Sequence, residues 1–147
     1  MSREPKWVSS RAVLAIHEVL LASHGGAPGL RDEGLLEAAL ASPRNYLAYD
    51  RSDIFRLAAA YAHAITRDHP FTDGNKRVAL TVAGVFLELN GYRLEAPEGE
   101  AVTATNALSA RALDELGFAE WLRTSSSKQS SRGKKRATRT RRASKKK

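Results

Sequence analysis

The chain has 147 residues, of which 24 are Lys or Arg and 16 are Asp or Glu. The excess positive charge lies at one end: residues 124–147 contain 11 basic and no acidic residues, whereas residues 1–123 contain 13 basic and 16 acidic residues. The chain has a high isoelectric point because of this basic end. The high value therefore does not indicate that residues 1–123 form a nucleic-acid-binding domain. The absence of cysteine excludes a disulfide framework, a thiol nucleophile and a zinc–thiolate site.

Residues 1–123 have the size of one domain with one hydrophobic core. Residues 1–10 lack the apolar stretch of a signal peptide, and no segment approaches the roughly 20 apolar residues of a membrane-spanning helix. We therefore expect a cytoplasmic protein without membrane contact, with one domain over residues 1–123 and a tail over residues 124–147.

Two helices are predicted in the first third of the chain. Apolar residues recur every three or four positions over residues 10–23, and either of the serines at the start can cap this helix. A Gly- and Pro-rich segment, residues 25–29, ends it. Asp32 is the predicted cap of a second helix, which we expect to stop by Pro43 because proline lacks the N–H that a helix interior requires.

The next two predicted helices are the most apolar. Residues 54–65 are rich in alanine and apolar on most of the helix circumference, and His69–Pro70 ends this helix. A fourth helix begins near Asn75 and ends at Asn90–Gly91, where glycine permits the left-handed conformation that stops a helix. We expect both helices to be buried.

Weaker patterns predict the rest of the chain. Residues 92–94 form a short extended link, and residues 98–110 and 113–123 are two amphipathic helices. Because no alternating β pattern and no internal repeat is present, the predicted fold class is all-α, a single bundle of about six helices. Hydrophobic residues all but vanish from Ser125 onward, so we expect the basic tail, residues 124–147, to be disordered.

The segment between the two most apolar helices concentrates polar chemistry. Within residues 69–77 it contains an imidazole, a carboxylate, an amide and two cations. Burying unpaired charges is costly, so these groups require either mutual pairing or a bound ligand, and their spacing favours a ligand. The candidate site residues are His69, Asp73, Gly74, Asn75, Lys76 and Arg77.

Together these residues are suited to phosphoryl or nucleotidyl transfer. Gly74 permits a sharp turn into the fourth helix, whose free amides and dipole bind phosphate, and Lys76 and Arg77 add full charges there. A carboxylate beside such a site, Asp73, is explained if a Mg²⁺ ion bridges it to phosphate oxygens. His69 can then take the proton of an attacking hydroxyl.

Each residue also has a structural explanation when it is considered alone. Asp73 could cap the fourth helix, Gly74–Asn75 could form an ordinary turn, and Arg77 could belong to a surface ion pair. Their combination in one segment favours a ligand site. Phe71 is expected to anchor the segment in the core. The remaining histidines are interpreted as structural or solvated: His17, His24 and His63.

Residues 69–77 resemble the motif of the Fic/Doc family, His-Pro-Phe-x-Asp/Glu-Gly-Asn-Gly-Arg-x-x-Arg, and match it through Asn75 and again at Arg77. Lys76 stands where most Fic enzymes have glycine, and Leu80 stands where they have a second arginine. In both departures the chain is similar to the Doc branch, the "death on curing" toxins. The resemblance covers most of residues 8–123, with further similar segments at 25–32, 36–40 and 86–91.

The resemblance implies an all-α fold in which His69 is the general base for a protein hydroxyl and Asp73 holds Mg²⁺. The residues implied to bind the nucleotide phosphates are Gly74, Asn75, Lys76 and Arg77. It implies that lysine at position 76 accompanies a reversed ATP whose γ-phosphate faces the target, which makes the protein a kinase. It further implies a bacterial toxin that modifies a threonine of translation elongation factor Tu, arrests translation and is held inactive by a separate antitoxin.

Several alternatives stay open at this point. The inhibitory pattern of some Fic proteins, Ser/Thr-x-x-x-Glu-Gly/Asn, has no match, so we expect inhibition by another chain. The segment 25–29 is either a lip of the target-binding cleft or a plain connection. The tail is either a solubilising extension or a site of non-specific nucleic-acid contact. The candidate functions are a Doc-like kinase, a Fic-type AMP transferase, and an inactive module that binds antitoxin and nucleic acid.

Overall fold

The computed structural model describes residues 4–49 and 53–129, and six α-helices account for most of this part of the chain, which confirms the predicted all-α class. The helices are α1 (Ser10–His24), α2 (Glu33–Tyr49), α3 (Ile54–Asp68), α4 (Asn75–Leu89), α5 (Glu98–Ser109) and α6 (Glu115–Thr124). A two-stranded antiparallel sheet pairs β1 (Tyr92–Leu94) with β2 (Ser126–Lys128). None of the helices that the structure describes has both the length and the hydropathy required to cross a membrane.

Helix α3 lies at the centre of the domain and packs against α2, α4, α5 and α6. Asp53 caps its start by accepting the N–H of Arg56 at 2.7 Å. Ten of its 15 residues are buried, and five of these are alanines, whose small side chains let neighbouring helices approach closely. Helix α4 packs along α3, and its seven buried residues follow one another at alternating steps of three and one along one face. The predicted burial is therefore confirmed for α3, whereas α4 is buried on one face and half-buried or exposed on the other.

An ion pair ties the start of α3 to α6. Asp53 accepts a hydrogen bond from the Arg123 guanidinium, and Arg123 also lies over the Phe55 ring, 5.0 Å from its centroid. Partial burial acts to raise the pKa of Asp53, but the hydrogen bonds from Arg123 and from the Arg56 N–H outweigh it, so this pKa lies below its usual value.

The prediction that the second helix stops by Pro43 is wrong, because α2 continues to Tyr49. Leu36, Ala39 and Pro43 follow one another at steps of three and four residues and are all buried. An internal proline loses a helix hydrogen bond and crowds the preceding turn, at a cost of roughly 3 kcal/mol. Burial of this stripe as α2 packs on its neighbours offsets that cost, so packing overrides the local preference.

The structure also differs from the predicted disorder at the start of the tail, because residues 126–128 form β2 beside β1. The ladder is prolonged by hydrogen bonds from Glu95 N to Ser125 O at 2.8 Å and from Gln129 N to Gly91 O at 2.7 Å. Such a short strand has no pattern of its own, since it exists only through a partner distant in sequence. The described structure continues to Gln129, and the predicted disorder of residues 130–147 falls outside the described residues.

Candidate active site

The candidate residues lie on the loop that joins α3 to α4 and on the first turn of α4. His69 ends α3 in the left-handed conformation (φ 49°, ψ 59°), and its N–H donates to Ile65 O at 3.0 Å. The imidazole of His69 is exposed and makes no hydrogen bond to a described residue. The predicted end of the third helix is thus confirmed, and the imidazole is accessible to a substrate.

Phe71 anchors this loop in the core, as predicted, and is only 1% exposed. The Asn75 side chain closes the loop around it: Oδ1 accepts the Phe71 N–H at 3.0 Å and Nδ2 donates to Phe71 O at 2.9 Å. Because the buried amide of Asn75 is engaged in this way, its main-chain N–H is the group that remains for the predicted contact with phosphate.

His17 supports the loop from α1, which confirms the structural alternative of its interpretation, although its partners were not predicted. The ring of His17 is buried and stacks on Phe71 with 3.9 Å between ring centroids. Its Nε2 lies 2.9 Å from Asp73 O, and because a carbonyl oxygen only accepts, Nε2 carries the proton. The available signal was position: His17 follows the buried Val13 by one helical turn, which indicates a histidine that faces the core and needs a partner.

The first turn of α4 is open to an anion. Gly74 precedes it in a left-handed conformation (φ 81°, ψ 14°), and no side chain caps the helix. The N–H groups of residues 75–77 therefore have no helical acceptor, and the positive end of the helix dipole lies beside them. Lys76 and Arg77 are exposed and pair with none of the described residues. This arrangement is typical of phosphate-binding helix ends.

The carboxylate of Asp73, the residue directly before Gly74, is also exposed. Its Oδ1 accepts the Gly74 N–H at 2.8 Å, and its Oδ2 accepts the Ala27 N–H at 3.2 Å. Gly26 makes this approach possible, because a Cβ at that position would lie 2.9 Å from Oδ2 and the backbone has φ 122°. The segment before α2 thus touches the carboxylate that the sequence analysis assigned to the metal.

The chemistry of Asp73 fits magnesium held jointly by protein and nucleotide. Among the described residues, no three His, Asp or Glu side chains are grouped to form a metal site. Magnesium in nucleotide enzymes usually binds through one or two carboxylates together with phosphate oxygens and water. Each oxygen of Asp73 accepts one hydrogen bond and retains acceptor capacity for a cation.

A groove lies between α4 and α5 and includes the first turn of α4. Its volume is about 280 Å³. Leu80 and Val102 supply apolar surface, while the two predicted phosphate-binding cations, Lys76 and Arg77, also line it. The remaining lining residues are Thr105 and Asn106. The groove therefore combines apolar, hydroxyl and amide groups with positive charge.

Residues 29–32 run antiparallel to the active loop. Thr72 N donates to Gly29 O at 3.1 Å, and the N–H groups of Arg31 and Asp32 donate to Pro70 O at 2.7 and 3.1 Å. The Arg31 guanidinium also contacts the end of α3, a contact for which the sequence offered no signal. This segment is therefore hydrogen-bonded along the active loop.

Comparison with known proteins agrees with this geometry. Residues 7–87, which include α1 to α3, the loop and most of α4, match the model of the Fic/DOC family, and the chain belongs to that family. It is 37% identical over 93 residues to "Protein kinase doc" of Escherichia phage P1, covering 62% of this chain and 74% of that protein. It is 42% identical over 76 residues to "Toxin Doc" of Mycolicibacterium smegmatis (strain ATCC 700084 / mc(2)155), covering 49% of this chain and 57% of that protein. Within the family, the chain belongs to the Doc branch.

Proposed function

We propose that this protein is a Doc-like toxin that transfers the γ-phosphate of ATP to a Ser or Thr hydroxyl of a protein. The observation that carries the proposal is the grouping, along one short loop and the turn after it, of the exposed His69 imidazole, the exposed Asp73 carboxylate and the uncapped start of α4. The name of the phage relative, a protein kinase, supports the same reaction.

Each group has a separate task in this reaction. The N–H groups at the start of α4, with Lys76 and Arg77, bind the phosphates and neutralise their charge. His69 accepts the proton of the target hydroxyl as its oxygen bonds to the γ-phosphorus, and the bond from that phosphorus to the β–γ bridging oxygen breaks to release ADP. Magnesium, when bound, would be held by Asp73 and would stabilise negative charge on the phosphate oxygens.

Lys76 favours transfer of the γ-phosphate over transfer of AMP. The side chain of Lys76 occupies a position where glycine would leave bare backbone for a diphosphate, and it lines the groove between α4 and α5. By the family resemblance, a lysine at this position accompanies a reversed nucleotide whose γ-phosphate faces the target, and the groove beside Leu80 and Val102 is the proposed place of the nucleoside. The alternative is a Fic-type AMP transferase, in which the α-phosphate faces the target.

The target and the inhibitor follow from the family resemblance. The proposed substrate is translation elongation factor Tu, whose modification would arrest translation. The proposed inhibitor is a cognate antitoxin acting in trans, which agrees with the lack of an inhibitory Fic pattern in this sequence. A segment of the antitoxin that folds on binding is the expected mode of inhibition.

Labelled ATP tests the reaction directly. We expect elongation factor Tu incubated with this protein, ATP and Mg²⁺ to acquire label from γ-labelled ATP and none from α-labelled ATP, because only the terminal phosphate is transferred. Label from α-labelled ATP alone would replace this proposal with AMP transfer. Label from neither, on elongation factor Tu or on any protein of a bacterial lysate, would leave the inactive binding module.

The tail supports a second, separate role in binding nucleic acid without sequence specificity. Residues 130–147 contain ten basic and no acidic residues. Gln129 is the last described residue before this segment, and its N–H donates to Gly91 O. Gly91 follows the end of α4, whereas Gly74 precedes its start. A 15-residue helix is about 22 Å long, so Gln129 lies well away from the phosphate-binding turn.

Removing residues 130–147 is therefore expected to abolish binding to single-stranded RNA. For the full chain, the logarithm of the binding constant should fall with the logarithm of salt concentration, with a slope no steeper than about −7 for ten cations. Fluorescence anisotropy over a range of salt concentrations measures both the loss of RNA binding and the slope. A full-length variant with Gln at the ten basic positions is the matched control and should behave like the deletion. Undiminished RNA binding by either variant would contradict the assignment.

A further inference from the structure

Arg31 makes an unusual set of contacts for an exposed residue. Its Nε donates to His69 O at 2.7 Å and its Nη2 donates to Asp68 O at 2.8 Å. Its own main-chain N–H donates to Pro70 O at 2.7 Å. One residue thus binds three consecutive carbonyl oxygens, at the end of α3 where carbonyls lack helical partners and the dipole is negative.

His69, whose carbonyl oxygen accepts the Arg31 Nε–H, has a strained backbone. His69 has φ 49°, and among the described residues Arg111 is the only other non-glycine with a positive φ. The left-handed region is unfavourable for residues with a Cβ, so surrounding contacts must maintain it. Because the imidazole extends from this Cα, a return of His69 to an ordinary backbone conformation would redirect the ring.

We propose that Arg31 is a positioning residue for phosphate transfer, which fixes the left-handed backbone of His69 and thereby aims the imidazole at the target hydroxyl. The inference rests on the proposed function, since it assumes that His69 is the base. The ATP-binding groups have other supports: Asp73 is held through His17 and Ala27, and the turn at Gly74 opens α4. Loss of the Arg31 side chain should therefore affect proton transfer and not the binding of ATP.

Arg31→Ala, Arg31→Lys and Arg11→Ala test this role. We expect Arg31→Ala to lower kcat by about 10- to 100-fold, the effect of a small misplacement of a reacting group. KM for ATP should stay within about twofold of the parent value, since uniform binding is preserved. Arg31→Lys should fall between, because an ammonium group cannot bridge both carbonyls in the fixed geometry of a guanidinium. Arg11 is exposed on α1 without a described partner, so Arg11→Ala should match the parent.

Two results would overturn the inference. One is parent-like kcat in Arg31→Ala, or a loss of kcat accompanied by an equal rise in KM for ATP. The other is a crystal structure of Arg31→Ala in which His69 keeps its left-handed conformation, a readout that does not depend on activity. A parent protein that transfers no γ-phosphate would instead refute the proposed function, so the two failures are distinguishable.

Discussion

Replacing His69 by alanine is expected to lower the rate of γ-phosphate transfer by about 10²- to 10⁴-fold, the range that a positioned general base contributes. The ring of His69 is exposed and makes no hydrogen bond to a described residue, so its removal leaves the packing of the domain intact. The melting temperature should therefore match that of the parent. Initial rates with γ-labelled ATP and elongation factor Tu measure the loss.

His24→Ala is the matched control. His24 is also exposed, lies in the last turn of α1, and has no partner among the described residues. Its replacement should leave the rate unchanged. A His69→Ala protein that modified its target at the parent rate would show that another group, or solvent, removes the proton.

The loop that carries His69 and Asp73 is held from three directions. Asn75 closes it through two hydrogen bonds to Phe71, and His17 supports it through the Phe71 ring and the Asp73 carbonyl. Arg31 donates hydrogen bonds to the carbonyl oxygens of Asp68 and His69, where α3 ends and the loop begins. The reactive side chains are exposed while the backbone beneath them is fixed. That combination lets a short loop hold exposed polar side chains in fixed positions without regular secondary structure of its own.

The parts of this site that the sequence predicted are those encoded locally. Two strongly apolar stretches predicted α3 and α4, and the residues between them have consecutive positions, so their proximity needed no knowledge of the fold. Gly74 likewise predicted a sharp turn, and it adopts a left-handed conformation. Phe71 was predicted as an anchor because it is apolar among polar neighbours.

The parts that the sequence did not predict depend on contacts between distant positions. His17 meets Asp73 across 56 positions and Arg31 meets His69 across 38, so neither contact leaves a periodic pattern. The prediction that the second helix stops by Pro43 used only the local chemistry of proline, whereas burial against the rest of the domain keeps Pro43 inside α2. Tertiary packing overrides local preference in each of these cases.

Replacing Asp73 by asparagine is expected to lower the transfer rate by about 10²-fold or more, comparable to the loss of one preorganised group that stabilises transition-state charge. Asparagine has nearly the same shape, and its amide oxygen can still accept the Gly74 N–H that Oδ1 accepts at 2.8 Å. The substitution removes the charge and the acceptor of the Ala27 N–H, while the two hydrogen bonds between Asn75 and Phe71 still close the loop. Rates measured over a range of Mg²⁺ concentrations should show that more Mg²⁺ is needed to reach the maximum.

Asp114→Asn provides the comparison for a carboxylate with a purely structural task. Asp114 caps α6 by accepting the Gly117 N–H at 2.7 Å, and asparagine caps helices equally well, so this variant should keep both parent rate and melting temperature. Parent-like rate and Mg²⁺ dependence in Asp73→Asn as well would mean that Asp73 only accepts main-chain hydrogen bonds. In that case the magnesium would have to be held by the phosphates alone, because the described residues gather no other cluster of metal-binding side chains.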